Sequence, residues 1–335
     1  MGGGKRLIGE RITMATEIEK RKRAFQETIT RLEKKRKSRI FCLVQNEHEH
    51  LCAPTFATLI GERNRFKDID TLDILVHSGG GHIDVAYQAA KFFRRHCRKL
   101  NVLVPIYAKS AATLICLMAD TIHMGEFAEL GPLDVQIHDP FEKGQFPFSP
   151  LDEFKSMEFL REYASEVVHY FSHLVVDISG MSVKEAVHES LPAVIQMMAP
   201  LYKHVDPSKV GGYRRSLAVG EEYARRILQQ RRFRDIEGLT QRLVWQYPSH
   251  DFVIDYDEVV EMGLPVKRLD LAEENQLLGA IFGILEYGGS AYGFIEAPTP
   301  ARTKPKPKRV ASKSRKRPVP VPAPTIKAVK SRTAA

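Results

Sequence analysis

Apolar positions between residues 71 and 119 alternate between short continuous runs and stretches with helical spacing. Residues 71–76 are a short apolar run that leads into a Ser-Gly-Gly-Gly turn, and residues 83–97 then carry apolar side chains at helical spacing. The same succession of apolar run, turn of small residues and apolar helix occurs again over residues 102–119. Two such units predict parallel strands joined by right-handed crossovers, and therefore an α/β fold.

One serine, Ser110, lies at the second of these turns, directly before the apolar helix. A serine nucleophile requires two backbone N–H donors near the oxygen on which charge develops, and turns built from Gly and Ala can present them. Both turns are expected at the carboxyl ends of parallel strands, where the active sites of such sheets collect. The pattern predicts a hydrolase, although a serine before a helix is more commonly its N-cap. Phosphate binding by the glycine turn is not favoured, because GxGxxG and Walker spacings are both absent.

Three separated blocks of sequence carry a resemblance to a known family. They are residues 77–81 (HSGGG), 104–120 (VPIYAKSAATLICLMAD) and 129–137 (ELGPLDVQI). Together they resemble the serine dehydrogenase proteinase family, a soluble branch of the signal peptide peptidase A group. A looser match at residues 255–266 is similar to the helix that closes the core in these relatives. The resemblance implies an α/β, Clp protease/crotonase-like fold, a repeated β-β-α superhelix, here with a helical insertion and an N-terminal helix.

The resemblance also implies which residues carry the chemistry. Ser110 matches the nucleophile of the family, and Gly81 and Ala111 match the residues whose N–H groups form the oxyanion hole. The chain departs from the commoner family form at Gly79, where that form has a proline, and at Ala111 and Ala112, where it has glycines. Neither departure removes an N–H donor from the hole, so the implied activity is that of a serine peptidase.

The general base is less clearly implied, because the relatives use two different residues. The peptidase branch uses a lysine some tens of residues after the serine, and Lys155 is the favoured candidate, provided that burial lowers its pKa. The Clp subunit uses a histidine on the strand after the nucleophile helix, and His138 is in that place and needs less change of pKa. His250, in a predicted strand over residues 247–254, is expected to cap a turn rather than to act in catalysis.

The organisation of the chain follows from changes in periodicity and composition. The predicted segments are an N-terminal charged helix (1–38), a Clp/crotonase-like catalytic core (39–156), a helical insertion (157–246), the C-terminal part of the core (247–296) and a disordered basic, proline-rich tail (297–335). The tail holds twelve Lys or Arg, eight Pro and no acidic residue, which leaves about −3 of the total charge of +9 for residues 1–296. Any contact with nucleic acid or an anionic membrane is therefore expected through residues 297–335.

Cysteine and histidine usage argues against a disulfide framework and against a metal centre. The four cysteines are scattered without paired spacing, which indicates a reducing compartment. His48, His50 and Cys52 have metal-like spacing, but no second group of ligands accompanies them, so neither a metal nor another cofactor is expected. No run approaches the roughly 18 apolar residues of a membrane span. The first 25 residues also lack an apolar signal core, so we expect a cytoplasmic protein.

These observations predict an ATP-independent serine peptidase that cleaves protein or peptide substrates, since no nucleotide-binding motif is present. Long helices outside the core have apolar faces that one subunit does not cover alone, which favours a homo-oligomer. Two alternatives use the same fold without proteolysis: an oligomeric scaffold, and an acyl-CoA enzyme of the crotonase type. The second is disfavoured because crotonase-type enzymes need no serine at this turn.

Overall fold

The fold is built on a mostly parallel β-sheet. The computed structural model describes residues 3–134, 149–203 and 205–297, without the side chains of residues 3–13 and 153. The strands of the described residues are β1 (Arg39–Val44), β2 (Ile69–His77), β3 (Cys97–Val104), β4 (Tyr107–Ala108), β5 (Thr121–Met124), β6 (Glu129–Leu130), β7 (Val266–Arg268) and β8 (Ala291–Phe294). Six of them form the main sheet in the order β7-β5-β3-β2-β1-β8, and β4 and β6 form a small parallel pair. Within the main sheet only β8 runs antiparallel to its neighbour.

Helices cover both faces of this sheet. Those before the insertion are α1 (Gly3–Arg36), α2 (Ala53–Glu62), α3 (Ile83–Arg95) and α4 (Ala111–Leu117). Those after residue 149 are α5 (Pro150–Ser179), α6 (Val183–Tyr202), α7 (Pro207–Gln230), α8 (Ile236–Gln241), α9 (Tyr256–Glu261) and α10 (Leu271–Leu285). The two strand-turn-helix units predicted from the apolar pattern are β2 with α3 and β3 with α4, so the α/β prediction is confirmed.

The central strands are largely apolar because both faces of the sheet are covered. The buried exceptions include Asp73 on β2 and Asn101 on β3, and the Asn101 side-chain amide donates to the Asp73 carboxylate at 2.7 Å. Alternate side chains of β1 enter different clusters: Phe41 and Leu43 pack with α3 and α4, whereas Ile40, Cys42 and Val44 pack with α1 and α10. The second cluster includes three buried residues of the N-terminal helix, Phe25, Ile29 and Leu32. The charged helix predicted at the N-terminus is therefore present, and its buried apolar residues pack on the core.

The insertion consists mainly of a long antiparallel helix pair, α5 and α6. Gly180, in the left-handed region with φ 68°, ends α5, and a Ser182–Glu185 capping box begins α6. Further along, α7 returns to the core, where Leu217, Ala224 and Ile227 are buried in the larger cluster. Within the described ranges, no helix has both the length and the hydrophobicity needed to cross a membrane.

One local prediction is wrong. Residues 247–254 were expected to form a strand, but they form an irregular loop with a single bridge between Ile254 and Leu130 of β6. Two backbone bonds make this bridge: Leu130 N–H to the Ile254 carbonyl at 2.9 Å, and Ile254 N–H to the Leu130 carbonyl at 3.1 Å. The loop is thereby anchored beside the carboxyl edge of the sheet.

Candidate active site

The two turns predicted to carry chemistry lie side by side at the carboxyl edge of the sheet. The turn after β2 is bound to the segment after β3 by two backbone hydrogen bonds. Ser78 N–H donates to the Tyr107 carbonyl at 3.3 Å, and Lys109 N–H donates to the Ser78 carbonyl at 2.9 Å. These bonds continue the parallel pairing of β2 and β3 beyond the sheet itself. The glycine turn and the residue before Ser110 are therefore held in register.

Ser110 has a strained backbone conformation, with φ 50° and ψ −130°, directly before α4. A non-glycine residue with positive φ is uncommon, and such strain is found preferentially at functional sites. The Ser110 side chain makes no capping hydrogen bond with the helix that it precedes. The ordinary N-cap role therefore does not account for this serine, and its hydroxyl is left available for other chemistry.

The glycines of the first turn allow the backbone to lie against Ser110. Gly80 and Gly81 have φ 103° and φ 136°, a region in which residues with a Cβ are strained. A Cβ on Gly80 would come within 2.6 Å of Ser110 Cβ and 3.1 Å of the Ala111 nitrogen. A Cβ on Gly81 would come within 2.5 Å of the Leu51 backbone, whose N–H donates to the Gly80 carbonyl at 2.7 Å. Glycine is therefore required at both positions.

The N–H groups near Ser110 differ in whether they already have a partner. Gly80 N–H donates to the Ser78 hydroxyl at 3.1 Å. No acceptor among the described residues pairs with the N–H of Gly81 or with that of Ala111. Unpaired N–H groups beside a nucleophile are the donors that an oxyanion hole requires. These are the two residues that the family resemblance implies.

Ser110 lines an open cleft with a volume of about 630 Å³. Its lining consists of Glu47, His48, Glu49, His50, Gly79, Gly80, Gly81, His82, Ile83, Ser110, Leu133, Asp134 and His250. The cleft thus combines the serine, the glycine turn and a histidine from the loop of residues 247–254. A peptide segment is of a size that such a cleft can hold.

His250 is paired with a buried carboxylate at the wall of this cleft. Its Nδ1 lies 2.9 Å from Asp134 Oδ1, and Asp134 is 2% exposed. Burial alone would raise the pKa of Asp134, but the hydrogen bond and charge of His250, with a hydrogen bond from Ser149, hold that pKa below its ordinary value. An ionised Asp134 accepts a hydrogen bond from Nδ1–H of His250, and in a neutral imidazole with its proton on Nδ1 the other nitrogen, Nε2, is an acceptor.

Lys155, the base favoured from the sequence, lies in a different place. Its Nζ donates to the Tyr247 carbonyl, and its side chain lines a separate cavity with Phe154, Arg161 and Trp245. Lys155 is not part of the lining of the Ser110 cleft. The geometry of the described residues therefore does not bring Lys155 together with Ser110. His138, the other candidate, lies outside the described residues.

The pair of Asp134 and His250 was missed because no local pattern connects residues so far apart in sequence. His250 was expected only to cap a turn, and Asp134 was not singled out within the block GPLD. The structural basis of their meeting is the bridge between Leu130 and Ile254, which places the two segments side by side. The apolar pattern of one segment cannot show which distant segment it pairs with, so it could not predict that Asp134 meets His250.

The histidine-rich segment before α2 does not form a metal centre in the part of the chain that the structure describes. No group of three His, Cys, Asp or Glu side chains there is arranged to hold a metal ion. His50 stacks on His82 with ring centroids 6.1 Å apart, and Cys52 Sγ lies 3.6 Å from the Thr55 hydroxyl. These side chains thus take part in local packing at the rim of the cleft.

Comparison with known proteins finds a family that resembles the N-terminal part of the chain. Residues 7–144 match the family described as ClpP-like SDH-type serine proteinase. This match, which covers less than half of the chain, confirms the resemblance to the serine dehydrogenase proteinase family and the Clp-like fold. The family that these residues resemble is thus described as one of serine proteinases.

Two individual relatives are similar to shorter stretches of the chain. One uncharacterized protein of Methanocaldococcus jannaschii is 43% identical over 76 residues, which cover 23% of this chain and 24% of the relative. A second uncharacterized protein of that organism is 33% identical over 114 residues, which cover 34% of this chain and 35% of the relative. The matches thus span only about a quarter and a third of these relatives' lengths.

Two solved structures are similar at low sequence identity. One is a mutant of the membrane-bound stomatin-specific protease 1510-N, with 11% identity, a TM-score of 0.39, and coverage of 77% of this chain and 92% of that chain. The other is a mutant of ClpP1 from Listeria monocytogenes, with 15% identity, a TM-score of 0.23, and coverage of 48% of this chain and 83% of that chain.

Proposed function

We propose that this protein is a serine peptidase that uses a Ser-His-Asp triad, in which Ser110 is the nucleophile, His250 the general base and Asp134 the residue that orients the base. The observation that carries the proposal is that the hydrogen-bonded pair of His250 and Asp134 lines the same cleft as Ser110. An imidazole requires less adjustment of its pKa than a lysine to act as a base near neutral pH. The proposed oxyanion hole is formed by Gly81 N–H and Ala111 N–H.

The proposed reaction has two steps. First, Nε2 of His250 accepts the Ser110 hydroxyl proton while Oγ attacks the carbonyl carbon, and the two N–H groups bind the oxygen that becomes negative. The tetrahedral intermediate collapses when the carbon–nitrogen bond breaks and the leaving amine takes the proton from His250. Second, a water molecule gives a proton to His250 and attacks the acyl-enzyme ester, which releases the carboxylic acid and returns the proton to Ser110.

Substrate and assembly belong to the same proposal. The substrates are peptide bonds in proteins or peptides, cleaved without ATP, and the working form is a homo-oligomer in the cytoplasm. All four cysteines are free thiols, which fits a reducing compartment. The proposed contact of residues 297–335 with nucleic acid or an anionic membrane concerns a segment of which the structure describes only the first residue.

The experiment that tests the triad compares four proteins with an active-site fluorophosphonate probe and a peptide substrate. We expect wild type to be labelled and Ser110→Ala not to be labelled. We expect His250→Ala to lose roughly 10²–10⁴-fold in turnover, as loss of a general base does, whereas Lys155→Ala retains turnover within about threefold. Lys155→Ala is the matched control, because its ammonium is also hydrogen-bonded to the 247–254 loop.

Other outcomes point to different functions. Loss of activity in Lys155→Ala with retention in His250→Ala would restore the Ser–Lys dyad and contradict the triad. A folded oligomer that is not labelled at all would favour a non-proteolytic scaffold of the same fold.

A further inference from the structure

Lys109, the residue before the proposed nucleophile, has a side chain that is only 17% exposed. Its Nζ lies 2.9 Å from a Glu129 carboxylate oxygen, 3.2 Å from the Asp251 carbonyl and 3.5 Å from the Phe252 carbonyl. An ammonium group has three N–H donors, and these three acceptors match them in number. A lysine that is largely buried with its donors satisfied contributes to structure at this point rather than to the charge of the surface.

The backbone of Lys109 is part of the nucleophile turn. Its N–H donates to the Ser78 carbonyl at 2.9 Å, and its carbonyl accepts from Ala112 N–H at 3.0 Å. The side chain then passes Gly131, where a Cβ would come within 2.8 Å of Lys109 Cδ and 3.0 Å of the Ser110 nitrogen. Glycine at position 131 therefore leaves the space through which the lysine reaches the other side of the site.

The carbonyls that Lys109 binds belong to the two residues after His250. Elsewhere in this loop, the Ile254–Leu130 bridge and the hydrogen bond from Lys155 to the Tyr247 carbonyl hold the ends. The His250 imidazole itself is held by Asp134. Lys109 thus binds the middle of the loop, next to the residue whose position decides the distance between base and serine.

We propose that Lys109 is a positioning residue that links the nucleophile turn to the loop of the general base through Glu129, Asp251 and Phe252. The inference rests on the triad proposed above. A displacement of the base by about 1 Å can cost about 100-fold in rate, so a contact that fixes the loop has a catalytic effect without touching the substrate. Lys109 does not line the cleft, which separates its role from that of a base.

The chain offers a matched control for this cation. Arg94 has a side chain that is 14% exposed, pairs with Asp120 at 2.6 Å, and donates to the backbone carbonyls of Cys97 at 2.9 Å and Arg98 at 2.5 Å. It therefore also binds one carboxylate and two carbonyls, but at the amino end of β3, away from the cleft. Arg94→Met therefore measures how much activity is lost when a buried cation with these contacts is removed far from the cleft.

The experiment measures kcat and KM of full-length Lys109→Met, Lys109→Arg and Arg94→Met. We expect kcat of Lys109→Met to fall by about 10- to 100-fold with KM within about twofold of wild type. Lys109→Arg keeps the positive charge and several N–H donors, so its kcat should be at least about threefold higher than that of Lys109→Met. Arg94→Met should keep the wild-type kcat per folded molecule. A kcat of Lys109→Met equal to that of Arg94→Met would overturn the inference.

A second readout is independent of activity. The imidazole NMR signal of His250, assigned by its loss in His250→Asn, should shift or broaden in Lys109→Met and remain unchanged in Arg94→Met. An unchanged signal would overturn the positioning role. If Lys109→Met does not fold, Glu129→Gln takes its place, with kcat expected at least about threefold lower. Failure of the proposed triad can be distinguished from failure of the positioning role. If the triad is wrong, His250→Ala remains active or the wild-type protein is not labelled by the fluorophosphonate probe.

Discussion

At the scale of single residues, the histidines of this protein differ in whether their ring nitrogens have a hydrogen-bond partner. His250 is paired with a carboxylate, whereas Nδ1 of the buried His77 has no hydrogen-bond partner among the described residues. His77 packs against Tyr107 with ring centroids 4.1 Å apart, and burial lowers its pKa to about 4. His123 on β5 also has its pKa lowered to about 4, chiefly by burial. Neutral buried histidines of this kind make the fold sensitive to acid.

We predict that His77 contributes to acid destabilisation between pH 6.5 and about 4. In this window the unfolded chain binds a proton at residue 77 that the folded chain does not bind, so stability falls as pH falls. The contribution is at most about 2 kcal/mol at pH 5, because each unit of pKa difference corresponds to about 1.4 kcal/mol.

Urea unfolding at pH 7.5 and pH 5 tests this prediction. Wild type should lose more free energy of unfolding between the two conditions than His77→Phe, which retains the ring but cannot take up a proton. Substitution of the exposed His48 by Phe serves as the control and should leave the pH dependence unchanged. An equal loss in wild type and His77→Phe would show that this histidine does not bind its proton differently in the two states.

At the scale of elements, the turn between β2 and α3 has the strictest steric requirements of the site. Gly79, Gly80 and Gly81 are adjacent, but their surroundings differ. A Cβ on Gly79 would meet no atom within 4 Å, whereas a Cβ on Gly80 would overlap with Ser110. Positive φ is found at Gly80 and Gly81 and not at Gly79. The middle glycine is therefore the one that sets the distance between the two turns.

We predict that Gly80→Ala abolishes fluorophosphonate labelling, with at least about a 100-fold loss, because a shift of the turn by about 1 Å misplaces both N–H donors. Gly79→Ala is the matched control and should be labelled at a rate within about threefold of wild type. Labelling rates and circular dichroism of both variants make the comparison. Normal labelling of Gly80→Ala would mean that the turn can adjust without loss of the oxyanion hole.

The sequence predicted those parts of the site that are local in the chain. The apolar runs predicted the strand, turn and helix around Ser110, because each of these is determined by neighbouring residues, whereas the role of Gly81 was implied by the family resemblance. Residues 247–254 have a strand-like pattern, yet only Ile254 pairs with β6, and Lys109 binds two of the loop carbonyls instead. Whether a segment finds a partner strand depends on the whole fold, so the place of His250 could not be deduced from its neighbours.

At the scale of the whole molecule, the helix pair α5 and α6 exposes large apolar side chains. They include Phe159, Tyr163, Tyr170, Phe171, Leu174, Ile178, Leu191, Ile195, Met197, Leu201 and Tyr202. Together these side chains expose on the order of 1,000 Å² of surface, which exceeds the roughly 800 Å² that each partner buries in a standard interface. Large apolar side chains exposed to this extent on one helix pair mark an interaction site, so we propose that a second copy of the chain packs against α5 and α6.

We predict that the double variant Ile178→Asp and Ile195→Asp lowers the oligomeric state, because a buried, unpaired carboxylate opposes association. Both residues are well exposed within one chain, at 77% and 64%, so folding should be preserved. Phe127→Asp is the control, since Phe127 is 87% exposed but lies outside the helix pair. Sedimentation velocity of the three proteins decides the question. An unchanged oligomer in the double variant would exclude this surface as the interface.

The antiparallel strand β8 has a consequence for how the protein is synthesised. It covers the free edge of β1, with Val44 paired to Ala291 and Phe41 paired to Phe294. A ribosome makes β1 first and β8 some 250 residues later, so the nascent chain carries an open, apolar strand edge through most of translation. Exposed edges of this kind pair readily with other chains. This edge of β1 is therefore covered only after residues 291–294 have been synthesised and β8 can pair with it.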